Sequence, residues 1–67
     1  MVRPVETSTR IRAERQLRGL SLEELAFLSG ISAATLSAYE RGLRSPRIDV
    51  IEALERALNL QRGSLYP

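Results

Sequence analysis

The sequence predicts an all-α domain, a small bundle of four to five helices. Three observations carry that prediction. The phrases Gly19-Leu20-Ser21 and Gly30-Ile31-Ser32 repeat one pattern eleven residues apart. Apolar residues recur at helical spacing, as in Ile48, Ile51, Leu54 and Leu58. No segment shows the sustained apolar-polar alternation of a strand.

The elements follow in order. Residues 1–8, with Arg3 and Pro4, read as an N-terminal arm preceding a domain over 9–67. Such an arm either enters a minor groove or is a mobile terminus. A first helix is expected from about Arg10 to Arg18, ending before Gly19. A second runs from Leu22 to Ser29. Ser21 is its N-cap, Glu24 three residues on completes a capping box, and Leu20 and Leu25 occupy the positions of a hydrophobic staple. A third helix spans Ala33 to Arg41 behind Ser32, with Ile31 and Leu36 as its staple. Pro46 prevents it from continuing through the loop, and a fourth helix runs from Ile48 to about Leu58. A last turn from Ser64 to Tyr66 would begin a fifth.

Composition narrows function. Sixty-seven residues make one domain with a thin core, and the absence of cysteine rules out a disulfide or a thiolate metal site. With no histidine and no lysine the usual general base, metal ligand and Schiff-base amine are missing, so neither an enzyme nor a cofactor is expected. All ten basic residues are arginine, for a formal net charge of +2. Arginine suits phosphate recognition because its fork holds two oxygens, and an arginine-only chain also reflects a GC-rich genome. No run approaches the roughly 20 apolar residues needed to cross a bilayer, nor is there a signal-like stretch, so a cytoplasmic protein without membrane contact is expected.

Two short helices joined by about three residues with glycine in the turn have the geometry of a helix-turn-helix. The ordered pieces GLS, EELA, SGIS, LS-x-YERG and P-x-I-x-x-I-x-x-L, between Ile11 and Leu60, resemble the Cro/C1-type, or XRE, helix-turn-helix domains of phage repressors and bacterial regulators. The resemblance covers about three quarters of the chain, and it implies a lambda-repressor-like fold and a repressor-like regulator of transcription. It also implies binding to double-stranded DNA as a homodimer, with the third helix in the major groove.

The resemblance pairs Arg15 with Glu40, a tie between the first helix and the end of the third. It brings Ser21 to the DNA backbone, although capping explains that serine equally well, and it lays Arg44 and Arg47 against DNA on either side of Pro46. Leu22 stands where many members carry glutamine. Leu36 and Tyr39 take the core side of the third helix, which turns Ala33, Ala34, Ser37, Ala38 and Arg41 outward. Ala33, Ala34 and Ala38 occupy positions where members often carry Gln, Arg or Asn. Alanine offers only a methyl for thymine to touch, so sparse direct readout is expected, with Ser32, Thr35, Ser37, the arginines at 41, 44 and 47, water and DNA shape as the remaining means.

On the second helix Phe27 and Leu28 stand opposite the core side. They form a protein interface or are covered by the N-terminal arm or the last turn. Leu60, Leu65 and Tyr66 are candidate dimer contacts or ordinary core closure. A second function therefore stays open, a helix-turn-helix scaffold used for protein binding, as in an antitoxin or adaptor. A restriction-system controller would combine both roles.

Overall fold

The computed structural model describes residues 4–65, with side chains from residue 7 onward. Four helices follow in order: α1 (Pro4–Leu17), α2 (Leu22–Ser29), α3 (Ala33–Glu40) and α4 (Ile48–Ala57). No strand occurs among the described residues. α2 packs on both α3 and α4, while α1 packs on α3.

The start of α2 is fixed as the sequence predicts. The Ser21 hydroxyl accepts from the Glu24 N–H at 3.0 Å, and the Glu24 carboxylate accepts from the Ser21 N–H at 2.8 Å, so two otherwise orphaned donors are satisfied reciprocally. These bonds hold the Glu24 carboxyl below its ordinary pKa, chiefly through the Ser21 backbone N–H and then through its hydroxyl. α2 ends at Gly30, whose φ of 76° places it in the left-handed region, with its N–H bonded to the Ala26 carbonyl.

The other three helices close in a different way. After α3, the Gly42 N–H bonds the Tyr39 carbonyl at 3.0 Å and the Leu43 N–H bonds that of Ala38 at 2.9 Å, the paired bonds of a Schellman motif. Gly19 and Leu20 close α1 with the same pattern, and Asn59 and Leu60 close α4. Asn59 adopts φ 57°, the one non-glycine residue with positive φ among those described.

Ile11, Leu25, Leu36, Tyr39, Ile51, Leu54, Leu58 and Leu65 form the core, with Leu20, Leu22, Ile31 and Leu60 packed against it. Leu25 and Leu36, the staple positions of α2 and α3, are fully buried. Leu65 therefore closes the core, and Leu60 leans on it half-buried, which settles these two in favour of core closure. Tyr66 lies outside the described residues.

Three expectations need correction. α1 begins at Pro4 rather than Arg10, so residues 4–8 of the expected arm are helical, and Thr7 and Ser8 are buried. Residues 1–3 lie outside the described residues. The cause is tertiary: the Thr7 hydroxyl donates to the Leu65 carbonyl at 3.4 Å, so the first turn is held by a segment distant in sequence. Ile48 was expected in the core ladder and is 57% exposed. It opens α4, and burial on that face begins one turn later at Ile51. Residues 62–65 form turns rather than a fifth helix. They are held by the buried Glu55, whose Oε2 accepts from the Leu65 N–H at 2.9 Å.

Candidate nucleic-acid interface

α3 turns about 100° per residue, so positions 33, 34, 37, 38 and 41 fall within an arc of about 140°. Leu36 and Tyr39 are buried on the other side. Ala34 and Arg41 are exposed, while Ala33, Ser37 and Ala38 are half-buried. The outward stripe is thus present, but three of its five members sit partly in the shoulder of the fold.

The hydroxyls at the head of α3 are occupied. Ser32 caps the helix by accepting from the Thr35 N–H at 3.1 Å and donates to the Thr35 Oγ1 at 2.8 Å. Ser21 is engaged in the capping box at the head of α2. Leu22 is half-buried against the core, so packing accounts for its side chain.

The end of α3 leads into residues 41–47, RGLRSPR, which hold three arginines and no carboxylate. Arg41, Arg44 and Arg47 are all exposed. Arg44 lies over the ring of the buried Tyr39, 5.8 Å from its centroid, a cation–π contact that steadies the arginine beside the end of α3. Arg47 approaches Asp49 at 4.0 Å with both side chains mostly in solvent, too loose to neutralise it. The Arg41 Nε reaches the Ser37 carbonyl at 3.4 Å. Among the described residues neither Arg41 nor Arg44 pairs with a carboxylate, so positive charge gathers at this end of the helix.

Beneath this surface the expected Arg15–Glu40 tie is present and shielded. Nε meets Oε2 at 2.7 Å and Nη2 meets Oε1 at 3.0 Å, while Nη1 donates to the Leu20 carbonyl at 2.7 Å. The two side chains are only 13% and 6% exposed. Hydrogen bonding to Glu40 raises the Arg15 pKa above its ordinary value, against the opposing effect of burial. One guanidinium thus ties α1, the turn into α2 and the last residue of α3, which fixes the angle at which α3 is presented.

Phe27 and Leu28 are left open by the fold. Phe27 is 88% and Leu28 is 52% exposed, and with Leu20, Glu23 and Glu24 they line a shallow groove. Neither the first turn nor the described C-terminal turns cover them. Among the described residues no group of three His, Cys, Asp or Glu could hold a metal, and no helix is long and apolar enough to cross a membrane.

Comparison with known proteins agrees with this geometry. The family HTH_3, described as helix-turn-helix, matches residues 11–65. An HTH-type transcriptional regulator of Mycobacterium tuberculosis is 41% identical over 56 residues, which are 84% of this chain and 40% of that protein. The chain therefore spans well under half the length of that relative. The HTH-type transcriptional regulator YazB of Bacillus subtilis is 40% identical over 58 residues, 87% of this chain and 84% of the relative. Among solved structures, the restriction-modification controller protein C.AhdI of Aeromonas hydrophila superposes with a TM-score of 0.88 at 36% identity, covering 94% of this chain and 96% of its own. An HTH_3 family transcriptional regulator of Vibrio cholerae gives a TM-score of 0.89 at 30% identity, over 94% of this chain and 35% of that one.

Proposed function

The chain belongs to the HTH_3 helix-turn-helix family of the Cro/C1 type, and from that premise we propose that it is a sequence-selective, repressor-like regulator that sets α3 in the major groove of double-stranded DNA. The observation that carries this reading is the exposed arginine segment 41–47 at the end of an α3 whose outward stripe bears no carboxylate. In this reading Arg41, Arg44 and Arg47 neutralise phosphates and supply most of the affinity, while α3 supplies a modest selectivity. It works as a homodimer, because one module of this size buries too little surface for tight selective binding, and two half-sites about one helical turn apart supply the remainder. It is non-catalytic and acts in the cytoplasm.

The test is fluorescence anisotropy on a random-sequence duplex and on DNA from upstream of its own gene, each across a salt series. Binding that weakens steeply with salt and is tighter on the upstream DNA is expected. Replacing Arg44 and Arg47 together by alanine lowers affinity and reduces the salt slope by about 2, one for each lost phosphate contact. An unchanged slope overturns the assignment of these arginines, and no binding at low salt overturns the DNA reading.

The groove beside Phe27 favours a second role, docking of a protein partner. Its apolar floor and the carboxylates of Glu23 and Glu24 on its rim fit an apolar anchor flanked by basic residues. A Phe27→Asp protein that keeps its fold and all its associations overturns this role.

A further inference from the structure

The selectivity proposed above for α3 has an unusual chemical source. Three of the five residues on its outward stripe, Ala33, Ala34 and Ala38, end in a methyl group, and Ala34 is fully in solvent. The polar side chains that would compensate are occupied or peripheral. Ser32 and Thr35 bond one another, and Arg41 follows the last helical residue with its Nε turned back to the Ser37 carbonyl. No long side chain stands on the outward stripe between Ser32 and Arg41.

Two physical consequences follow. A helix with ordinary side chains is about 10–12 Å across, close to the roughly 12 Å width of the major groove. A helix faced with alanine is thinner on that side and settles deeper, so its methyl groups reach the groove floor. On that floor the base edges present donors and acceptors with one apolar feature, the C5-methyl of thymine. A methyl that meets a polar edge desolvates it without return, whereas a methyl that meets a methyl removes apolar surface from water on both sides.

We infer that α3 reads DNA chiefly through the C5-methyl groups of pyrimidines, with Ala34 and Ala38 as the residues that contact them, and that thymine is the natural source of those methyls. This inference rests on the DNA-binding reading above but can fail separately from it.

The experiment begins by selecting bound duplexes from a random library with the full chain. The enriched duplex is then synthesised in three forms: unchanged, with deoxyuridine for every thymine, and with 5-methylcytosine for every cytosine. Affinities are compared at one fixed salt concentration. Enrichment of thymine and a loss of about four-fold per contacted methyl in the deoxyuridine duplex are expected, with the loss reduced in an Ala34→Ser variant. No gain from 5-methylcytosine is expected if thymine is the source. A gain there without a deoxyuridine loss supports C5-methyl reading and reassigns its source to methylated cytosine.

An enriched duplex that outbinds random DNA yet is indifferent to both substitutions overturns the inference and leaves DNA binding intact. A deoxyuridine loss of the same size in the wild-type chain and in both the Ala34→Ser and Ala38→Ser variants overturns the assignment to these alanines. Failure to bind any duplex at low salt overturns the DNA reading itself, and this inference with it.

Discussion

α2 and α3 are built to one plan and dressed for different partners. Each has eight residues, and each opens on a serine N-cap with extended backbone. α2 then shows solvent an apolar pair, Phe27 and Leu28, beside two glutamates, with no basic residue along its length. α3 shows methyls and a hydroxyl and passes into three arginines. The difference teaches that capping and core positions set where a helix begins, while the outward positions, free of that duty, decide what the helix meets. The ends differ as well. α2 is held by its capping box and a left-handed glycine, whereas the far end of α3 is anchored by a shielded ion pair to α1.

The largest effect should come from breaking that anchor. Glu40→Ala strands the Arg15 guanidinium, and chemical denaturation should register a loss of roughly 3 kcal/mol. Glu24→Ala, at the exposed head of α2, should cost far less, and equal losses would erase the distinction between the two anchorages.

Next comes Gly30→Ala. A Cβ there would meet nothing within 4 Å, so its cost is conformational alone, about 1–2 kcal/mol for a left-handed alanine, read as a lowered melting temperature.

Smaller still, Ser21→Ala and Ser32→Ala should each cost about 1 kcal/mol as lost N-caps. They separate in their pH dependence. Because the folded-state pKa of Glu24 is depressed, the stability it contributes is present above its unfolded value and lost as the pH falls through the folded one. The Ser21→Ala penalty should therefore shrink between about pH 7 and pH 3, where carboxylates titrate, while the Ser32→Ala penalty holds steady in paired melts. Glu24→Gln should keep the cap and lose that pH dependence.

The smallest effect is expected at Phe27→Ser, within about 0.5 kcal/mol in either direction, as befits a side chain 88% exposed.

What could be read from the sequence follows the range of the forces involved. α2 has the bounds expected for it, and the starts of α3 and α4 are where they were placed, because a serine cap, a staple and a proline act within a few residues. The Arg15–Glu40 partnership came from the family resemblance. Its shielding, and the third bond to the Leu20 carbonyl, arise only once three elements converge. The start of α1 was missed because Thr7 is stabilised by Leu65, a contact with no local signature. Glu55 was overlooked for the same reason: on a helix it reads as an ordinary surface glutamate, and only the returning chain buries it. The outward stripe of α3 was legible from its period, but the mutual bond of Ser32 and Thr35, which withdraws two of the expected polar readers, was not.

The bond between Thr7 and Leu65, separated by 58 positions, makes the domain nearly a closed ring. A ring can be cut elsewhere. Joining the two ends through a short linker and opening the chain within residues 41–47 would leave every helix intact while converting the arginine segment into two loose termini. Such a circular permutant should fold as the parent does, and it would separate the contribution of those charges from that of the loop which fixes their spacing.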